Sequence, residues 1–323
     1  MKSDPNLRES TRPALVPADP LDPGDPGDAG DPGDAHEPIT NLGDVIPLRS
    51  AVTPVGPTVI AVTSGKGGVG KTNLSANLAI ALGQRGSRVL VIDADLGLAN
   101  MDIIMGVAPS YTTADLISGE VAIDDVIIPG APNVWLLPGA SGQHDLANLN
   151  DAARLGLFTA VDSLDDRFDA IVVDTGAGIG SNAIGFAAAA KDIILVVTPE
   201  PTSVADAYGM LKVLCTRCAV RRVNVLANMV SSPAEGEQVF RRLVALADRF
   251  LNVGLDYLGA IPRDPAISRS VMRGEPVLTA YPRSPSSLAI LEAADAIIRS
   301  DHRDDREGAL RLFWRRLLRQ KGA

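Results

Sequence analysis

Gly65-Lys66-Gly67-Gly68-Val69-Gly70-Lys71-Thr72 stands directly after the apolar run Val59–Thr63 and directly before an amphipathic stretch from Thr72 to Gln84. A strand, a glycine-rich turn and a helix, in that order, are the context a phosphate-binding loop requires. The glycines let the backbone wrap an anion with its N–H groups converging, and the following helix adds its positive end. Lys71 can neutralise phosphate charge, and the Thr72 hydroxyl can hold Mg²⁺. A merely flexible glycine turn seldom carries a Lys-Thr pair at this position.

Outward from the loop, short apolar runs alternate with helix-length segments. The runs are Val59–Thr63, Arg88–Asp93, Val134–Leu137, Ala170–Asp174, Ile193–Thr198, Val223–Asn228 and Tyr257–Ile261. Near-continuous apolarity predicts strands buried on both faces. Between them, Thr72–Gln84, Asp151–Leu164, Val204–Leu214 and Gly236–Phe250 read as amphipathic helices. The alternation predicts an α/β fold with a doubly wound, mostly parallel sheet, in one domain over residues 58–300. Residues 1–57 are rich in Pro, Asp and Gly, as in Asp22-Pro23-Gly24-Asp25-Pro26-Gly27-Asp28, and hold too little aliphatic surface to offset ordering entropy. They are expected to form a disordered acidic tail. Residues 301–323 read as a charged linker and a short basic, apolar terminus.

The 323 residues carry a net charge of −9, which disfavours bulk attraction to nucleic acid. No apolar run approaches the roughly 20 residues of a membrane-spanning helix, and the start of the chain is acidic and proline-rich, unlike an export signal. A cytoplasmic location is expected. The two cysteines, Cys215 and Cys218, cannot complete a four-ligand zinc site alone, and their spacing fits one helix face.

Two acidic strand ends supply candidate chemistry. Asp93-Ala94-Asp95 closes the second run, and alternation puts Asp93 and Asp95 on one side. Such a pair beside a phosphate site can position water for in-line attack and organise a magnesium shell; the same acids also suit the start of the next segment. Ile171-Val172-Val173-Asp174 ends in an acid at the carboxyl end of a strand, where such sheets bind ligands. Following a phosphate loop, it reads as the acid that holds Mg²⁺ through water. Asn224-Val225-Leu226-Ala227-Asn228-Met229 offers no Asn-Lys-x-Asp guanine reader, which favours ATP over GTP.

The second lysine of the loop, Lys66, makes the chain resemble the deviant Walker A ATPases, the family that includes MinD, ParA and the flagellar regulator FlhG. The resemblance spans about Val59 to Leu291 and includes Thr198-Pro199-Glu200-Pro201-Thr202-Ser203, Asp206-Ala207-Tyr208 and Gly259-Ala260-Ile261-Pro262. It implies slow, partner-stimulated hydrolysis of ATP to ADP with Mg²⁺. It also implies an ATP-dependent homodimer in which Lys66 reaches the other subunit's phosphates. By the same resemblance Lys66, Lys71 and Asp95 are catalytic, Asp95 positioning water. Thr72, Asp93 and Asp174 hold Mg²⁺, partly through water, and Asn228, Pro262 and Asp264 surround adenine. Leu96-Gly97-Leu98-Ala99-Asn100-Met101-Asp102, following Asp95, looks like switch I and Thr175-Gly176-Ala177-Gly178 like switch II.

Asp174-Thr175-Gly176-Ala177-Gly178 is similar to the FlhG form of switch II, which implies control of flagellar number or placement at the membrane. Implied partners are a signal-recognition-type GTPase and flagellar basal-body or transcription-control proteins. The FlhG group's amino-terminal Asp-Gln-Ala-x-x-Leu-Arg element is represented only by Asp4-Pro5-Asn6-Leu7-Arg8, without the glutamine and with shorter spacing. At the other end, Leu310, Phe313, Trp314, Leu317 and Leu318 would share one helix face opposite Arg311, Arg315, Arg316 and Arg319. That pattern suits peripheral attachment to the cytoplasmic membrane, or a last helix docked on its own domain. The rival readings are a MinD-like division-site ATPase and a ParA-like partition protein binding DNA through Arg217, Arg221 and Arg222 or Arg241 and Arg242.

Overall fold

The structure, a computed structural model, describes residues 56–301 apart from 96–98, 141–159, 162 and 165. The acidic tail, Leu96 to Leu98 of switch I, most of the expected helix 151–164, and the terminal helix with Leu310, Phe313, Trp314, Leu317 and Leu318 lie outside the described residues.

Eight strands form one sheet: β1 (Thr58–Thr63), β2 (Val89–Ala94), β3 (Ile128–Ala131), β4 (Val134–Leu137), β5 (Ala170–Thr175), β6 (Asp192–Val197), β7 (Arg222–Val230) and β8 (Gly254–Pro262). Their order is β3-β4-β2-β5-β1-β6-β7-β8, and every pairing is parallel except β3 with β4. All seven expected strands are present within one to three residues at their ends. β3 was not expected, because Pro129 and Gly130 within four residues disguise it; such residues are tolerated at a sheet edge.

The helices are α1 (Lys71–Gln84), α2 (Met101–Met105), α3 (Thr113–Ser118), α4 (Ile123–Val126), α5 (Ser181–Ala189), α6 (Pro201–Cys218), α7 (Pro233–Phe250), α8 (Pro265–Met272), α9 (Val277–Ala280) and α10 (Pro285–Asp301). Proline opens α6, α7 and α8 at a position where its missing N–H costs nothing. Ser232 and Asp264 accept from backbone N–H groups at the starts of α7 and α8.

The parallel strands are buried on both faces, and alternate residues of one strand serve two layers. Val59 and Ala61 of β1 pack with α5, α6 and α7, whereas Ile60 and Val62 pack with α1, α2 and α10. Leu195, fully buried in β6, belongs to the first layer. Leu195→Ala is expected to lower stability by about 2–5 kcal/mol, read as a shifted urea midpoint with an unchanged slope. Cys215 is buried and Cys218 half-buried in α6; both are free, and burial pushes both thiols up, away from the reactive thiolate.

Parallel order brings the carboxyl ends of β1, β2 and β5 together, because β1 and β2 both flank β5, with Val62 and Asp93 each level with Asp174.

Candidate functional site

The loop between β1 and α1 forms the centre of the site. Gly70 precedes α1 with φ +88°, in the left-handed region, and the first turn of α1 has neither an acidic residue nor a side-chain cap. Its N–H groups are thus left for an anion. Gly65 lies against α6 so closely that a Cβ there would sit 2.1 Å from the carbonyl carbon of Asp206. The backbone N–H of Gly178 donates to Ser64 O at 3.0 Å, and Ser64 Oγ donates to Lys66 O at 2.7 Å. The loop is therefore held on one side by α6 and on the other by the segment after β5.

Asp174 is fully buried at the end of β5. Its Oδ1 accepts from Ser75 Oγ at 2.8 Å, while Oδ2 is buried without a partner. Burial raises its carboxyl pKa; Lys71, Ser75 and the Thr72 hydroxyl act in the opposite direction. A buried, unpartnered carboxylate oxygen beside a threonine hydroxyl fits Mg²⁺, whose own waters would supply the missing donors.

Asp93, expected beside Thr72 and Asp174 among the residues that hold Mg²⁺, is also buried, but its carboxylate faces its own loop, where both oxygens are engaged by backbone N–H groups. Oδ1 accepts from the N–H of Asp95 at 3.1 Å, and Oδ2 from those of Asn100 and Met101 at 3.2 Å each. It thereby ties the two ends of the switch I segment together. Burial, then the charge of Asp174, push Asp93 up to about 7, against the pull of the Met101 and Asp95 N–H groups. Asp95, half-buried, stands over the other switch: a Cβ on Gly176 would lie 3.7 Å from its Oδ1.

Lys66 Nζ contacts Glu200 Oε2 at 2.6 Å and Thr202 Oγ1 at 3.2 Å within the same chain. Both partners lie at the start of α6, and the lysine holds the Glu200 carboxyl below its usual range.

Beyond α1 lies a cavity of about 300 Å³, lined by Gly70, Asn228, Pro262 and Asp264 with apolar Leu74, Ile267, Val277 and Ile290. The expected adenine-binding residues are thus gathered at one place. Asn228 is set by an irregularity in β7, where Met229 takes φ +59°. Its Nδ2 donates to Val69 O at 2.7 Å, joining the cavity to the phosphate loop.

Ser75 was not foreseen, although it lies one helical turn beyond Lys71, on the same face. Glu200 and Thr202 were visible only as a resembling motif, without their contact to Lys66. The expected basic patches are partly neutralised: Arg222 pairs with Asp256 and Arg241 with Glu237, each at 2.7 Å.

A glycine loop between a buried strand and a helix, a second strand ending in a buried acid, and a cavity beside the loop define a P-loop nucleoside triphosphatase. Residues 60–277 match the CobQ/CobB/MinD/ParA nucleotide binding domain, and the chain belongs to that family. It is 46% identical to the antiactivator FleN of Pseudomonas aeruginosa over 239 residues, covering 74% of this chain and 85% of that one. It is 36% identical to the flagellum site-determining protein YlxH of Helicobacter pylori over 268 residues, 81% of this chain and 90% of that one. The septum site-determining protein MinD of Pyrococcus horikoshii, solved with Mg-ADP, superposes with a TM-score of 0.62 at 28% identity, over 76% of this chain and 97% of that one. The protein is an ATPase of the MinD/ParA type. No helix among the described residues is long and apolar enough to cross a membrane.

Proposed function

We propose that this ATPase sets flagellar number or placement, alternating between an ATP-bound dimer and an ADP-bound monomer. The observation that carries the reading is the 46% identity to FleN over most of both chains. The N–H groups of residues 67–72 and the ammonium of Lys71 hold the triphosphate, and Thr72 and Asp174 hold Mg²⁺. When bound, the ion neutralises phosphate charge. Asp95 orients the attacking water, and Asp93 keeps Asp95 in place through the loop it ties. Asn228, Pro262 and Asp264 enclose the base. A signal-recognition-type GTPase and basal-body or transcription-control proteins are the proposed partners, and the segment 310–318 attaches the dimer to the inner face of the cytoplasmic membrane.

Deleting the gene from its host and counting flagella by electron microscopy tests the role. The reading expects a changed number or position, restored by the wild-type gene and not by Lys71→Ala; unaltered flagellation would end it.

To reach a second subunit, Lys66 must leave Glu200 and Thr202, so dimer closure competes with that contact. With a non-hydrolysable ATP analogue, light scattering should find wild type dimeric and Lys66→Ala monomeric. Glu200→Gln should dimerise at lower protein concentration, by a few fold at most because the pair is exposed. ATP-dependent pelleting with anionic liposomes should be lost both in Lys66→Ala and in a chain ending at Asp301, since two weak anchors must act together.

A further inference from the structure

The cavity beside the phosphate loop contains a buried, unpaired amide oxygen that the roles above do not use. Asn73 follows Thr72 on α1 and lines the cavity, and its Oδ1 is buried with no hydrogen-bond partner. The other amide and carboxylate oxygens of the cavity are engaged. Asn228 Oδ1 accepts from Met229 N at 2.9 Å. Asp264 Oδ1 accepts from Ala266 N, and its Oδ2 from both the N–H and the hydroxyl of Ser286. Asn77 Oδ1 accepts from Leu278 N at 3.0 Å. Leaving a buried amide oxygen unpaired is costly, and such an atom persists where a ligand completes it.

The oxygen accepts and cannot donate, which restricts what can complete it. Phosphate oxygens at neutral pH offer no donor. The nucleoside does, through the amino group of adenine and the hydroxyls of ribose. We infer that Asn73 Oδ1 accepts a hydrogen bond from the nucleoside of the bound nucleotide, making Asn73 a specificity-determining residue of the ATP site. A site built around such a bond rejects analogues that lack the donor more strongly than an apolar pocket rejects a missing methylene.

This inference rests on ATP binding in this cavity. Calorimetric titration of the full chain with ATP, 2′-deoxy-ATP, 3′-deoxy-ATP, inosine triphosphate and tripolyphosphate, each with Mg²⁺, tests it in wild type, Asn73→Ala and Asn73→Leu. Wild type should bind at least one analogue about tenfold more weakly than ATP. Both variants should bind ATP about tenfold more weakly than wild type does, while tripolyphosphate binding is unchanged. The analogue whose affinity the variants leave unaltered identifies the donor: inosine triphosphate the amino group, a deoxy analogue the corresponding hydroxyl. Melting of the nucleotide-free variants should occur at or above the wild-type temperature, because they lose an unpaired polar atom. An equal loss on tripolyphosphate would overturn the inference, placing the amide on phosphate instead. Undiminished ATP binding by both variants, or wild type treating all four nucleosides alike, would also overturn it. Absence of any ATP binding to wild type would instead refute the nucleotide reading of the cavity.

Discussion

Asp174→Asn should lower ATP hydrolysis at least about a hundredfold, the scale expected when a group that stabilises transition-state charge is removed. The asparagine can keep the bond from Ser75 Oγ, but it replaces the unpartnered Oδ2 with a donor that repels Mg²⁺. Hydrolysis within tenfold of wild type would remove Asp174 from the site. The same variant carries a pH signature in the nucleotide-free protein. Asp93 is pushed up to about 7 and Asp174 is also raised, so the folded chain keeps protons that the unfolded chain, with carboxylates near 3.9, gives up. The stability contributed by Asp93 is full below about pH 4 and lost as pH rises through 7. Removing the Asp174 charge, one of the causes of the Asp93 shift, should make that fall shallower. Denaturant titrations at pH 5, 6, 7 and 8 would read it; an unaltered slope would contradict the coupling.

Gly65→Ala and Gly70→Ala should each abolish ATP binding, for different reasons. At Gly65 the new methyl would meet the Asp206 backbone at 2.1 Å, and because a helix backbone cannot swing aside as a side chain can, α6 must move away from the loop. Overpacking of this kind costs about 1–3 kcal/mol of stability. At Gly70 the methyl would lie 2.6 Å from Asn228 Nδ2, and φ +88° adds about 1–2 kcal/mol for a residue with a Cβ. That change would displace the amide from Val69 O and disturb the loop and the base cavity together. Calorimetry and urea melts of both variants provide the check; retained micromolar binding in either would mean that the loop is looser than described.

What could be read in advance was contiguous in the chain. The phosphate loop is eight consecutive residues, and the buried strands are apolar runs whose ends carry the acids. The features that escaped depend on residues distant in sequence. Ser75 and Asp174 are 99 residues apart, and Lys66 and Glu200 are 134 apart. Asn73 resembles any polar residue of a helix until the fold sets it in one cavity wall with Leu74, Val277 and Ile290. β3 was missed for a local reason: a four-residue edge strand with a proline carries too little alternation to stand out.

The position of β1 in the sheet also constrains how the protein is made. Its register partners lie in β5 and β6, and Val62 O accepts from the hydroxyl of Thr175, 113 residues further along. On the ribosome β1 emerges first, yet neither flanking strand exists until much later. An apolar segment must wait with both edges open, which is the circumstance in which nascent chains aggregate. The nucleotide loop, though the most recognisable part of the sequence, thus cannot be framed, and ATP cannot assist folding, until β5 and β6 have been translated.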